Sequence, residues 1–279
     1  MKKKLTGIFV LAMLLCMAAA PAVPNAGAAS AMRELVEDSM INQAVKRGTL
    51  RVGLSTFVPW AMPDKNGELI GFEVDVAKRV ADDLGLKLEL VPTEWSGIIP
   101  ALLAGKFDVI IGSMSIRMDR NLKINFTEPY DFSGMDLLAN RAKADGFSKL
   151  EHFNKPEVII ALRTGASSEP ALKKYLPKAQ RRYFDDEAQA VQEVILGRAH
   201  AMASSIPLPA FQALKHPDKL FTPLKEPFTR ESVAMAIRKG DPDSLNVLNT
   251  WIRIATDDGW LKERHRYWFE STEWENLLK

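Results

Sequence analysis

Short apolar runs alternate with amphipathic stretches along most of the chain, and this alternation predicts an α/β fold. The first half predicts strands at Thr49–Leu54, Leu86–Val91 and Val109–Ile111, with helices at Val74–Leu84 and Ile98–Ala104. Strands separated by helices at this spacing are typical of parallel βαβ units. The pair Asn66-Gly67 adds a predicted hairpin turn, because these two residues tolerate positive φ angles.

The same alternation returns in the second half of the chain and predicts another α/β unit. This half predicts strands at Val158–Leu162 and Ala199–Ala203, with helices at Glu169–Tyr175 and Asp186–Leu196. Asp186 and Gln189 have the spacing of a helix-capping pair. Two units of similar build predict a protein of two lobes.

Two segments with helix- and strand-breaking residues are predicted to connect the lobes. Phe126–Gly134 contains a proline and a glycine, and Pro223–Thr229 contains two prolines. After the second segment, Ser232–Ile237 predicts a strand, and Ser244–Asp258 predicts a helix that Gly259 ends. We therefore predict a first lobe of residues 31–134 plus 230–279 and a second lobe of residues 135–229, joined by a hinge of two crossing segments.

The amino terminus has the layout of a secretory signal peptide. Three lysines at positions 2 to 4 precede an apolar run that ends near Ala20, and small residues follow up to Ala28. We expect residues 1–28 to be removed by cleavage after Ala28, with a retained membrane anchor as the alternative. The apolar run is short for a membrane span, and Cys16, the single cysteine of the chain, lies inside it. The mature protein would then lack disulfides and reside in the periplasm of a Gram-negative cell.

Charge and residue content argue against several classes of protein. Removing the three amino-terminal lysines takes the net charge from +2 to −1, so the chain has no excess of positive charge for nucleic acid. The four histidines are scattered through the sequence and share no metal-ligand spacing. The sequence also lacks a P-loop and a nucleophile elbow. We therefore expect no metal and no cofactor.

Polar side chains follow the predicted strand Val109–Ile111. Ser113, Ser115 and Arg120 lie just beyond its carboxyl end, the edge at which parallel α/β sheets collect ligands. An arginine offers a planar fork of donors that matches a carboxylate or a phosphate. The cluster is therefore either a site for a small anion or an ordinary polar loop.

From Leu50 to Lys279 the chain resembles the periplasmic solute-binding proteins of the polar amino-acid ABC-transporter family. The motifs that carry the resemblance are Arg47–Gly53, Phe57–Trp60, Gly71–Asp75, Glu94–Leu102, Phe107–Ile111, Arg120 followed by Phe126–Tyr130, and Asp258–Leu261. The resemblance implies a two-lobed periplasmic-binding-protein fold of type II with the ligand in the interlobe cleft. It also implies a monomer that captures a small carboxylate or an amino acid for an inner-membrane ABC permease, with a role in sensing as the open alternative.

The resemblance assigns roles to residues of the first lobe. It sets Arg120 against the α-carboxylate of the ligand, with the hydroxyl of Ser115 beside it. The backbone at Ser113 would face the amino group of the ligand. Phe57 and Trp95 would form aromatic walls around the ligand, although an aromatic residue such as Trp95 could equally belong to the core.

In the second lobe, the resemblance points to the loop that begins at Thr164 and includes Ser167, whose backbone would donate to the same carboxylate. This loop leads into a helix N-terminus, where free N–H groups favour an anion. Arg163 could contact the far end of the ligand or brace the loop. Arg117 could reach the ligand or pair with a surface acid.

Ser205 departs from the family pattern. Amino-acid binders of this family usually have an aspartate at this position, where it pairs with the ligand ammonium. A buried cation without a counter-charge is costly, so the serine favours a carboxylate without an amino group unless another acid replaces the aspartate. Glu169, Asp64 and Glu94 are the candidates for that acid.

A second class of function follows from the same resemblance. Cyclohexadienyl dehydratases are similar to this family and have a glutamate just after the loop of the second lobe, where Glu169 stands here. A carboxyl enclosed in a dry cleft could hold its proton at neutral pH and donate it to prephenate or arogenate. Thr164 and Ala166 depart from the enzyme motif, and we expect a binding protein without catalytic residues.

Overall fold

The computed structural model describes residues 37–278, which contain two five-stranded sheets and one two-stranded sheet. The expected signal peptide, residues 1–28, lies outside the described residues. No helix within residues 37–278 is long and apolar enough to cross a membrane.

Strands and helices alternate along the chain as the sequence predicts. The strands are β1 (Thr49–Leu54), β2 (Met62–Pro63), β3 (Leu69–Ile70), β4 (Lys87–Pro92), β5 (Val109–Ile110), β6 (Asn125–Ser133), β7 (Met135–Asn140), β8 (Ile159–Arg163), β9 (Gln180–Phe184), β10 (Ala201–Ser205), β11 (Leu220–Phe221) and β12 (Glu231–Ile237). The α-helices are α1 (Met40–Arg47), α2 (Phe72–Asp83), α3 (Ile98–Leu103), α4 (Met118–Asn121), α5 (Ser168–Tyr175), α6 (Glu187–Ile195), α7 (Leu208–Lys215), α8 (Pro242–Asp257) and α9 (Trp260–Phe269). Short 3₁₀ helices span Trp95–Gly97, Leu150–Phe153 and Glu273–Leu278.

The first sheet has the order β4-β1-β5-β12-β6, and we call the part of the chain built on it the first lobe. β1 is parallel to both β4 and β5, as expected for strands that are joined by helices. α2 covers this sheet with an apolar face at helical spacing, and Phe72, Val76 and Val80 are fully buried there.

The second sheet has the order β11-β7-β10-β8-β9 and forms the second lobe. β8 is parallel to both β9 and β10, while β7 is antiparallel to β10. The predicted cap of α6 is present, because the backbone N–H of Gln189 donates to Asp186 Oδ1 at 2.8 Å. Helices α5 and α6 therefore begin at the carboxyl ends of β8 and β9, the edge that faces the first lobe.

The chain crosses between the lobes twice, and the two crossings are bonded to each other. β6 passes through Gly134 into β7, and Thr229 leads back into β12. The N–H of Met135 donates to Thr229 Oγ1 at 2.8 Å, and the N–H of Phe228 donates to the carbonyl of Met135 at 2.8 Å. A Cβ atom on Gly134 would lie 2.3 Å from the carbonyl oxygen of Thr229, so the crossing leaves no room for a side chain there.

The prediction that Phe126–Gly134 interrupts regular structure was wrong, because Asn125–Ser133 forms the nine-residue strand β6. β6 lies at the edge of its sheet and pairs only with β12. Pro129 has no backbone N–H, but β6 has no second neighbouring strand whose hydrogen bonds this would interrupt. Other elements that were not predicted include α1, α7, α9, strand β7 and the polar edge strand β9. Gly259 separates α8 from α9 and has a positive φ of 79°, a left-handed conformation that does not continue a helix.

Candidate functional site

A narrow cavity lies between the two lobes, and residues of both lobes line it. Seven of the residues that the sequence proposed as ligand contacts line it: Phe57, Trp95, Ser113, Ser115, Arg163, Ser167 and Ser205. Arg120 and Thr164 are not among the lining residues. Glu187 and Ser204 also line the cavity, and the sequence did not propose either of them.

Hydrogen bonds across the cleft hold the two lobes together. Trp60 Nε1 donates to the carbonyl of Ile206 at 3.3 Å. Trp95 Nε1 and Arg120 Nη2 both donate to the carbonyl of Gly165, at 3.3 and 3.0 Å. The structure therefore shows the closed arrangement of the cleft, in which the cavity walls of both lobes meet.

Arg120 lies behind the cavity wall and is buried. Besides its bond across the cleft, its Nη1 donates to the carbonyl of Ser115 at 2.9 Å, and its guanidinium lies 5.6 Å from the Trp95 ring centre. These bonds use two of the five N–H donors of a guanidinium and leave three. Burial, reinforced by the charge of Arg117, lowers the pKa of Arg120 to about 10, so it remains charged at neutral pH.

Arg163 ends strand β8 and lies directly in the cavity wall. Its guanidinium carbon lies 4.7 Å from the Trp95 ring centre and 5.3 Å from that of Phe57, so the second lobe inserts a cation between two aromatic residues of the first. Nε and Nη1 of Arg163 are buried without a hydrogen-bond partner. Burial lowers the pKa of Arg163, although nearby Glu187 opposes the shift.

Glu187 supplies the buried acid that the sequence did not locate. It is the first residue of α6, its Oε2 accepts a hydrogen bond from Ser204 Oγ at 3.1 Å, and its Oε1 lies 3.4 Å from Arg163 Nε. Burial raises the pKa of Glu187, since desolvation outweighs the attraction of Arg163. A glutamate after the capping residue Asp186 is common at helix starts, so its sequence position alone carries no sign of this role.

The other acids considered from the sequence do not line the cavity. Glu169 lies on the outer face of α5, where its Oε1 accepts a hydrogen bond from Lys173 Nζ at 2.7 Å. Asp64 accepts from backbone groups of its own exposed turn, and Glu94 is exposed. α5 turns this side chain toward solvent, whereas the dehydratase alternative needs Glu169 in a dry cleft.

Arg117 and Thr164 have partners outside the cavity. Arg117 pairs with the exposed Asp119 at 2.6 Å, and its Nη1 donates to the carbonyl of Ala166 across the cleft at 3.3 Å. Thr164 donates to the carbonyl of Phe184 through both its N–H and its Oγ1. Of the two alternatives for Arg117, the structure therefore shows the pairing with a surface acid. Thr164 attaches its loop to β9.

A buried glutamate fixes the loop that presents Ser113. Ser113 has a φ of 56°, a left-handed conformation that is uncommon for residues with a side chain. Its N–H donates to Glu73 Oε1 at 2.6 Å, and the hydroxyl of Tyr130 donates to Glu73 Oε2 at 2.6 Å. Burial raises the pKa of Glu73 from 4.5 to about 8, even though both hydrogen bonds oppose the shift.

This raised pKa predicts that stability falls as pH rises between about 5 and 8. In that window the folded state holds a proton on Glu73 that the unfolded state has released, and one such proton contributes a slope of about 1.4 kcal/mol per pH unit. Glu73→Gln keeps an acceptor for Ser113 and removes the titration, so its unfolding free energy should depend less on pH than that of the wild type. Urea unfolding at pH 5.5, 6.5 and 7.5 measures this, with the exposed Glu89→Gln as the control. Equal slopes for Glu73→Gln and the wild type would contradict the assignment.

Within residues 37–278 no group of three or more His, Cys, Asp or Glu side chains is arranged to hold a metal ion. The cavity is instead lined by the guanidinium of Arg163, one buried carboxyl, serine hydroxyls and two aromatic rings, with Arg120 behind its wall. Such a set binds a small polar molecule with charged ends.

Comparison with known proteins agrees with this geometry. The family model of bacterial extracellular solute-binding proteins, family 3, matches residues 50–271. The L-cystine-binding protein TcyJ of Escherichia coli is 29% identical over 243 residues, which cover 87% of this chain and 90% of that protein. The cyclohexadienyl dehydratase of Pseudomonas aeruginosa is 26% identical over 235 residues, or 84% of this chain and 87% of the enzyme.

A solved structure shares the architecture over the same extent. The crystal structure of the ancestral amino acid-binding protein AncCDT-1, a precursor of cyclohexadienyl dehydratase, superposes with a TM-score of 0.76 and 41% identity, covering 83% of this chain and 99% of that one. The resemblance drawn from the motifs and the two-lobed α/β fold are thereby confirmed. The chain belongs to the bacterial extracellular solute-binding proteins of family 3.

Proposed function

We propose that this protein captures an amino acid in the interlobe cleft and delivers it to an ABC importer of the inner membrane. The observation that carries the proposal is the closed cavity, which both lobes line and which contains the buried charges of Arg163 and Glu187. A neutral zwitterion has a carboxylate and an ammonium that can pair with buried charges of both signs. The relatives named for amino acids and for cystine support the same class of ligand.

In this proposal the α-carboxylate binds beside Arg120. The three unused N–H donors of Arg120 provide charge-assisted hydrogen bonds, which are stronger than neutral ones. The Ser115 hydroxyl already donates to Glu231 Oε2, so in this closed form Ser115 contributes as an acceptor or through its backbone. Ser167, in the second lobe, brings the helix N-terminus of α5 to the same cavity.

The amino group of the ligand binds near Glu187 in this proposal. Ser205 leaves the usual aspartate position uncharged, while Glu187 approaches the cavity from the neighbouring element and is held by Ser204. One buried acid is enough to neutralise an ammonium. The absence of the aspartate therefore does not exclude an amino acid.

Closure links binding to transport. The bonds of Trp60, Trp95 and Arg120 to carbonyls of the second lobe exist only when the lobes meet. A ligand that contacts both lobes binds the closed form more tightly than the open form. The difference between these two binding free energies is the amount by which the ligand stabilises the closed form. The permease would then recognise the surface that the two closed lobes create together. We expect the protein to act as a monomer in the periplasm after removal of residues 1–28.

Binding is proposed here rather than catalysis. The general acid of the dehydratase hypothesis, Glu169, faces solvent and pairs with Lys173, so it cannot hold a proton in a dry cleft. The carboxyl that does line the cavity, Glu187, already accepts from Ser204 and adjoins Arg163. Ser204 and Arg163 therefore contact its two oxygens, and the carboxyl is positioned as a partner for a bound charged group.

The direct test of the proposed function is calorimetry with the purified mature chain. Titration with the common L-amino acids and with matched 2-oxo acids should identify a ligand that binds at a single site, and prephenate and arogenate should remain unchanged on incubation. Prephenate or arogenate turnover, or a failure to bind any amino acid, would contradict the proposal.

A substitution at Ser205 tests where the ammonium lies. Ser205→Asp places a carboxylate at the edge of the cavity, so the preference for an amino acid over its 2-oxo analogue should rise by about tenfold, equivalent to about 1.4 kcal/mol. Ser205→Asn is the uncharged control of similar size and should leave the preference unchanged. Tighter binding of the 2-oxo acid by Ser205→Asp would show that no ammonium lies near this position.

A further inference from the structure

Arg163 presents unused hydrogen-bond donors to the cavity. Its side chain is 6% exposed, yet Nε and Nη1 have no hydrogen-bond partner among the described residues. Burial removes the water that would otherwise bind these groups, so an unpaired guanidinium edge is unfavourable unless an acceptor reaches it. The rings of Phe57 and Trp95 contact the guanidinium and are not hydrogen-bond acceptors of comparable strength.

Glu187 does not satisfy these donors. Its Oε1 lies 3.4 Å from Arg163 Nε, close enough for an ion pair but without hydrogen-bond geometry, and Nη1 has no acceptor. Its Oε2 is already the acceptor for Ser204 Oγ. The acceptors for these two donors therefore come from whatever fills the cavity, either water or atoms of a ligand.

We propose that Arg163 is a second anchor for the ligand, and that it binds a carboxylate or carboxamide oxygen at the end of the ligand side chain. This inference rests on the proposed function, in which Arg120 holds the α-carboxylate. It names the ligand class as amino acids with an acidic or amide side chain. A cationic side chain would be placed beside a buried guanidinium, where like charges repel.

The ligand class proposed here differs from the ligand class named for a structural neighbour. AncCDT-1 is also described as an ancestral cationic amino acid solute-binding protein. The buried, unpaired cation in the cavity wall opposes that ligand class here. Selectivity of this kind arises from a repulsive element as well as from an attractive one.

Calorimetry with four ligands tests the assignment: L-glutamine, L-glutamate, L-norvaline and L-lysine. Norvaline has the same number of side-chain carbons as glutamine and glutamate but no oxygen. We expect glutamine or glutamate to bind at least about thirtyfold more tightly than norvaline, and lysine to bind more weakly than either. Arg163→Met should reduce the preference over norvaline to less than about threefold.

One control variant and a folding check make the result specific. Arg181 also has a buried Nη1 without a partner but does not line the cavity, so Arg181→Met should keep the wild-type preference. Because Arg163→Met leaves Glu187 buried beside an apolar side chain, circular dichroism and urea unfolding of Arg163→Met check that any loss is not due to misfolding.

The outcomes separate the two proposals. If the wild type binds none of the common L-amino acids, the proposed function fails, and the role of Arg163 fails with it. If it binds other amino acids but neither glutamine nor glutamate, the function stands and the assignment of Arg163 is overturned. If the wild type binds norvaline or lysine as tightly as glutamine and glutamate, or if Arg163→Met keeps the preference, the function stands and the assignment of Arg163 is overturned.

Discussion

Replacing Arg120 with alanine is expected to lower the affinity for the amino-acid ligand by at least about a hundredfold while the fold persists. The variant loses the donors proposed for the α-carboxylate, and it also loses the bond from Nη2 to the carbonyl of Gly165 that helps to close the cleft. Arg120→Lys should recover only part of the affinity, because an ammonium cannot reproduce the planar fork. Calorimetry with the tightest ligand of the wild type measures both variants.

Arg117→Ala is the matched control for this experiment. Arg117 lies three residues away and also donates across the cleft, to the carbonyl of Ala166, but its main partner is the exposed Asp119. Its removal should cost less than about tenfold in affinity, as expected for a partly exposed ion pair. If Arg120→Ala bound the ligand as tightly as the wild type, the proposed carboxylate site would be wrong.

Gly134→Val is expected to lower the free energy of unfolding by about 3 kcal/mol or more. The new Cβ would lie 2.3 Å from the carbonyl oxygen of Thr229 and 2.9 Å from Pro227 Cβ, so the two crossing segments must separate. That separation breaks the hydrogen bonds of Met135 with Thr229 and Phe228, which fasten the crossings together. Urea unfolding monitored by tryptophan fluorescence measures the loss.

Gly97→Val provides the control for the hinge substitution. Gly97 has a φ of −97°, which residues with side chains adopt readily, and a Cβ there would meet no atom within 4 Å. Its substitution should change the unfolding free energy by less than about 1 kcal/mol. Equal losses for the two variants would mean that the close approach at Gly134 contributes nothing particular to stability.

The first lobe shows why much of the fold could be predicted from the sequence. Strands such as Thr49–Leu54 are apolar and short, and α2 has its buried residues at helical spacing, so local patterns and final packing agree. The same reasoning failed for β6. Pro129 indicates a break in regular structure, and no local pattern indicates that this strand lies at the edge of a sheet, where a proline is tolerated.

The cavity shows where prediction from the sequence ends. Phe57 and Trp95 could be proposed because each belongs to a motif of the family, and Ser113 because it follows the predicted strand Val109–Ile111. Glu187 could not, since its burial depends on Ser204 and Arg163, which arrive from two other strands. The unpaired donors of Arg163 likewise exist only once both lobes enclose them. Local sequence patterns do not indicate which charged side chains become buried when the two lobes close.

A crystal structure of the mature chain with its tightest amino-acid ligand tests the central claim most directly. The account predicts closed lobes with one ligand in the cavity lined by Ser113 and Ser167, its α-carboxylate within hydrogen-bond distance of Arg120 and its amino group near Glu187. A ligand bound outside this cavity, or an α-carboxylate that does not contact Arg120, would contradict the account.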